Sequence, residues 1–177
     1  MSILIVFAGK NGTTKKCAAL LQAQLPGSRV VDLIEDAPDL TDSDTIIIGG
    51  CIRMGQLHKT VRKFMEANAA ILSEKRLAFF LCSGFTDNAE EMFKNNIPSY
   101  LLKFSIAHEA FGGELHMEQL RGMDKWIAKM GRRAMGDRPA PHIFEENIAR
   151  LAQAVLDVYK RQGLCLAKNM IEINLYM

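Results

Sequence analysis

The chain has 177 residues, 49% of them apolar, and a formal net charge of +2, which suits one domain with a full core. That charge is too small to argue for nucleic acid, and no apolar run approaches the ~20 residues of a membrane-spanning helix. The four cysteines (Cys17, Cys51, Cys82, Cys165) form no C-x-x-C pair, so neither a zinc site nor a redox dithiol is indicated and reduced thiols in a cytoplasmic protein are expected.

Ile3 to Ala8 is a continuous apolar run with no positive charge ahead of it. It reads as a strand buried on both faces rather than as a signal peptide. A Gly/Asn/Thr turn follows, then a helix from about Thr14 to Leu25 with Cys17, Leu20, Leu21 and Leu25 on one face, stopped by Pro26-Gly27. Arg29 to Leu33 is a short edge strand, and Thr45 to Gly50 is a third strand with three isoleucines. The pattern predicts a helix over Leu57–Leu72, facing inward through Leu57, Val61, Phe64, Met65 and Leu72. Arg76 to Cys82 is strand four. Asp87 and Asn88 are placed to cap a helix over Glu90–Lys103, interrupted at Pro98. Ala107 to Leu115 is strand five, and a last helix starts near Pro141 with Phe144, Ile148, Leu151 and Val155 inward. Strands alternating with crossover helices predict a doubly wound α/β domain: a five-stranded parallel sheet of order 2-1-3-4-5 in a three-layer α/β/α arrangement.

Two stretches stand outside this plan. His116 to Arg138 is about twenty residues longer than an ordinary connection. In it Trp126, Ile127, Met130 and Ala134 oppose Lys125, Lys129, Arg132 and Arg133. Such a basic amphipathic stretch suits either an anionic membrane surface or packing on the domain with its charges solvated. Asp157 to Gln162 reads like a translated sequencing-library adapter. We therefore expect one domain over residues 1–162 and set 163–177 apart as a tail, native or not, without assigned function.

Doubly wound sheets bind ligands at the C-terminal ends of their strands, which directs attention to Gly9-Lys10-Asn11-Gly12-Thr13-Thr14. Its glycines let the backbone approach an anion, the helix start offers amides, and the threonines add hydroxyls. A terminal phosphate suits this chemistry. The spacing matches neither a Walker A loop nor G-x-G-x-x-G, and a receiver's paired acidic residues are missing. A plain Gly/Asn turn is the remaining alternative.

Read together with Ile48-Gly49-Gly50-Cys51-Ile52-Arg53-Met54-Gly55-Gln56-Leu57-His58, the turn resembles the flavodoxin family. The spacing I-G-x-x-I-R-x-G-x-x-H is most similar to the branch of menaquinone-dependent protoporphyrinogen IX dehydrogenases. The resemblance implies a flavodoxin-like fold and FMN as cofactor. It places the phosphate on Gly9, Lys10, Asn11, Gly12, Thr13 and Thr14, and the isoalloxazine ring between Cys51, Ile52, Arg53, Met54 and Gly55 on one side and Ser83, Gly84, Phe85 and Thr86 on the other. Two departures are visible. Gly9 stands where the family usually carries Ser or Thr, and Met54 where it often carries an aromatic.

The function implied is an FMN-dependent oxidoreductase that passes electrons from an organic substrate through FMN to a quinone. A carrier without its own substrate, serving redox partner proteins, is the alternative, and a flavin-free interaction module is a third. Arg53 could hold a substrate carboxylate or be solvated, and His58 could cap its helix or meet substrate. No catalytic acid or base and no metal set is read from the sequence. The expected partners are a small-molecule substrate or a redox protein, plus a membrane quinone met through residues 116–138. No nucleic acid or transmembrane segment is expected, and the location expected is cytoplasmic, peripheral to the inner membrane face if the quinone contact is made.

Overall fold

Alternation along the first strand decides how the molecule is layered. In the computed structural model, which describes residues 2–84, 87–114 and 140–175 with side chains to Arg161, β1 (Ile3–Ala8) is buried throughout. Ile3, Ile5 and Phe7 face one core and Leu4, Val6 and Ala8 the other, as the two-residue period of a strand requires. β1 lies between β2 (Arg29–Asp32) and β3 (Thr45–Arg53), parallel to both. β5 (Arg76–Cys82) pairs with β3, and β6 (Ala107–Gly112) with β5, again in parallel. The order β2-β1-β3-β5-β6 is the expected order for the five parallel strands. The addition is β4 (Gln56–Leu57), which turns back antiparallel on the end of β3.

The first core is closed by α2 (Lys59–Ala67), α3 (Ala69–Ser73), α4 (Ala89–Asn96) and α5 (Ser99–Lys103), which contribute Val61, Met65, Leu72, Phe93 and Leu101. The second is closed by α1 (Thr13–Gln24) and α6 (Glu145–Leu175), which contribute Cys17, Ala18, Leu21, Ile148, Leu151 and Val155. Gly49 is required here, because a Cβ on it would lie 1.9 Å from the Phe80 ring. Phe80 uses that space to stack on Phe111, ring centroids 4.7 Å apart, a pairing worth about 1 kcal/mol beyond its buried area.

Several boundaries differ from expectation. The helix expected over 57–72 is β4 followed by α2 and α3, which meet at Asn68. Leu57 is buried in the hairpin rather than on a helix. The break at Pro98 is present, between α4 and α5. Asn88 stands at the start of α4, but its side chain makes no capping bond. The last helix begins at Glu145, not near Pro141. The preceding backbone is used against β6: the Gly113 amide donates to the His142 carbonyl at 3.1 Å and the Phe144 amide to the Phe111 carbonyl at 3.0 Å. α6 continues across residue 162 to Leu175, 31 residues or about 46 Å in all. Among the described residues no helix is long and apolar enough to cross a membrane. Residues 116–138, expected to reach a membrane quinone, lie outside those described.

Candidate functional site

Chain order reverses between β1 and β3, since β2 lies on one side of β1 and β3 on the other. The crevice at such a reversal is where doubly wound sheets take ligands. The β1–α1 turn, the β3–β4 hairpin and the residues after β5 all open on this edge.

The turn is shaped for an anion. Gly12 adopts φ 81°, in the left-handed region, directly before α1. No side chain caps α1 and its first turn holds no acidic residue. The leading amides of α1 are thus left for a ligand, at the positive end of the helix. Lys10 and Asn11 are exposed and Thr13 is half-buried. Thr14 is only 2% exposed, and its hydroxyl lies in hydrogen-bond contact with the Cys82 thiol. Thr14 therefore braces the turn from below. It also explains Gly9: a Cβ there would lie 2.6 Å from Thr14 Oγ1 and 2.7 Å from Thr14 Cβ.

The hairpin is built differently. Cys51, Ile52 and Arg53 end β3 half-buried. Ile52 pairs with Leu57 and Arg53 with Gln56, leaving Met54-Gly55 as a two-residue loop with φ 51° and 76°. Positive φ at both central residues is the type I′ turn that matches strand twist, normally met by Asn-Gly or Gly-Gly. Met54 is held in this conformation with 83% of its surface exposed. Asn96 clamps the hairpin: its Oδ1 accepts from the Leu57 amide at 2.7 Å and its Nδ2 donates to the Gly55 carbonyl at 3.0 Å.

The two loops touch. The Lys10 amide donates to the Cys51 sulfur, while burial pushes that thiol up. His58 completes the rim between them. Its backbone amide donates to the Cys51 carbonyl at 3.0 Å, and its Nδ1 accepts from the Thr60 amide at 3.3 Å, capping α2. Partial burial lowers its pKa, aided by Lys59, Arg53 and Lys10 and opposed by Asp32.

On the far side, the Ser83 amide donates to the Gly112 carbonyl at 2.9 Å. A Cβ on Gly113 would lie 3.0 Å from the Gly84 nitrogen, and one on Gly84 3.5 Å from Pro141. Ser83 and Gly84 are thereby seated between β6 and the 140–144 segment. Phe85 and Thr86 lie outside the described residues. The Cys17 thiol and burial push Cys82 well above the usual thiol range, so it is not poised as a nucleophile. Among the described residues no cluster of His, Cys, Asp and Glu could hold a metal.

The site brings together Gly9–Thr14, Cys51–Gly55 and Ser83–Gly84. Asn96 has no sequence signal as part of the site, and His58 offers only a choice between a helix cap and a substrate contact. Asn96 stands 39 residues from its partner Leu57, beyond any local pattern. His58 carried a signal in I-R-x-G-x-x-H, but its cap gave no sign that it would share an edge with Lys10 and Asp32.

The flavodoxin-domain family profile matches residues 4–140. The curated relatives include protoporphyrinogen IX dehydrogenase [quinone] of Escherichia coli (strain K12), 24% identical over 143 residues that cover 73% of this chain and 78% of that one. Similar solved structures include oxidised flavodoxin 2 from Bacillus cereus, 21% identical, TM-score 0.48, over 78% of this chain and 100% of that one. A flavoprotein in complex with FMN from Lactobacillus acidophilus NCFM is 15% identical, TM-score 0.49, over 62% of this chain and 92% of that one.

Proposed function

The chain belongs to the flavodoxin-domain family, and from that premise we propose that it is an FMN-dependent oxidoreductase acting on an organic substrate, with a quinone as electron acceptor. The observation that carries this reading is the uncapped start of α1 behind the left-handed Gly12, joined through the Lys10 amide to the hairpin that ends β3. An anionic group and a flat ring attached to it would be held by these two loops together.

When bound, FMN supplies the redox chemistry and the protein supplies position and field. The α1 amides and Thr13 hold the phosphate, with Lys10 beside it. Met54 offers a polarizable thioether to the ring, and Ser83 and Gly84 close the opposite side. Arg53 meets an anionic substrate group at the rim. The quinone and the porphyrinogen-type substrate come from the named activity of the Escherichia coli relative, and residues 116–138 are the part of the chain we assign to a membrane surface.

An absorbance spectrum of the purified protein, before and after added FMN, tests the cofactor. Flavin bands in the native protein that vanish in Gly12→Asp are expected, since Asp brings a negative charge and a side chain to a φ of 81°. Porphyrinogen oxidation with a quinone acceptor then tests the enzyme. Flavin bands without turnover would leave an electron carrier, and a colourless protein that ignores FMN would overturn both redox readings.

A further inference from the structure

His58 is the residue at this edge whose chemistry is fixed but not yet used. A backbone N–H can only donate, so the bond from the Thr60 amide to Nδ1 requires an unprotonated Nδ1. The neutral ring must then carry its proton on Nε2. Nε2 has no hydrogen-bond partner among the described residues. The ring is half-buried, and the charges acting on it come from each neighbouring element: Lys10 from the β1–α1 turn, Asp32 from β2, Arg53 from β3 and Lys59 from α2. A single donor of known identity thus stands at the rim of the crevice, in a locally positive field.

We propose that His58 donates its Nε2–H to a carbonyl oxygen of the electron-accepting substrate, held in that tautomer by the helix cap its Nδ1 makes. The proposal rests on the redox function above and adds a residue to it. In the overall reaction the organic substrate loses two electrons and two protons. The acceptor gains two electrons, by way of the bound cofactor, and two protons from solvent, and its carbonyls become hydroxyls. His58 keeps its own proton throughout. It stabilises the negative charge that builds on the oxygen, with Arg53 and Lys10 adding to the field. A neutral imidazole at a helix start, kept neutral by its surroundings, suits this task because it polarises a carbonyl without having to be charged first. The depressed pKa agrees with a neutral ring at pH 7. Protonation would put a second N–H against the Thr60 amide, breaking the cap and releasing the ring.

Two measurements test this. Nitrogen-15 NMR of histidine in the full protein without flavin reads the tautomer directly. We expect Nε2–H with titration below 6.5, and an Nδ1–H tautomer overturns the proposal. The second is the ratio of turnover with a quinone to turnover with ferricyanide, which has no carbonyl, in His58→Asn and His58→Ala. Asn is a good N-cap, so His58→Asn preserves α2 while withdrawing the donor from the Nε2 position: its amide nitrogen takes the place of Cδ2 and ends one ring atom short. The ratio is expected to fall about tenfold or more in His58→Asn, and in the native protein to fall as pH drops through the His58 pKa. A ratio unchanged in His58→Asn, with flavin bands retained, overturns this role alone. A native protein without flavin bands overturns the cofactor reading and this role with it.

Discussion

The two loops that face each other across the crevice are held by opposite means. The β1–α1 turn is fixed by packing from beneath: Thr14 is buried against Gly9 and Cys82, so the amides above it have one position. The β3–β4 hairpin is fixed by its backbone: ladder pairs, the Asn96 clamp and a turn whose tip, Met54, is exposed. The contrast separates two needs. A phosphate is small and identical in every ligand that carries one, so its seat gains from rigidity. A ring and the substrate laid on it differ in outline, so a flexible thioether on a firm turn is the better fit.

The contrast can be broken most severely at Gly9. Gly9→Ala would force Thr14 out of its site, and overpacking of this kind costs about 3 kcal/mol. Urea unfolding should show that loss, and flavin titration should show phosphate binding falling with it. Next is Asn96→Ala, which leaves the Leu57 amide, now bonded at 2.7 Å, buried without an acceptor. A cost of about 2 kcal/mol is expected, and amide exchange should rise across residues 51–57 while the β1–α1 turn stays protected. Equal loosening of both loops would show that they form one unit. Met54→Asn acts in the opposite sense. It supplies the residue a type I′ turn favours and should stabilise the protein by about 1 kcal/mol, while flavin binding weakens through loss of the thioether. A drop in stability there would mean that Met54 already packs on something.

The smallest effect is on pH dependence. The His58 pKa is lowered by burial and by Lys59, Arg53 and Lys10 from its ordinary 6.5. The neutral ring's contribution to stability is therefore complete above 6.5 and is lost as pH falls through the lower, folded value. Melting temperatures from neutral pH downward should show this loss in the native protein and a flatter profile in His58→Asn.

Much of this was legible in the chain itself. β1, β3 and β5 are continuous apolar runs, which only a sheet buried on both faces explains. The residue types of the Gly9–Thr14 turn pointed to the place where α1 starts without a side-chain cap. What was hidden has physical reasons. β4 is two residues long, and its Leu57 has the spacing of a helix face, so periodicity assigned it to the following helix. The positive φ of Met54 is imposed by strand twist on a residue that does not favour it. Gly9 looked like a lost hydroxyl until Thr14, five positions later, was found in the space its side chain would need. The start of the last helix was misplaced because Pro141 suits a first turn, whereas the 140–144 backbone is taken up by the end of β6.

Tyr159 gives the molecule a timetable. Its hydroxyl meets Thr45 Oγ1 at 2.7 Å and the carbonyl of Ser2 at 3.5 Å, 157 residues away, and Arg76 lies 4.7 Å above its ring. The foot of β1 is thus finished by a side chain of α6, 157 residues later. At about 5–20 residues per second, the foot of β1 waits roughly 8–30 s on the ribosome for that partner. During that interval β1 can pair with β2 and β3 and pack against α1 and α2, so the part left open until α6 arrives is its foot at Ser2.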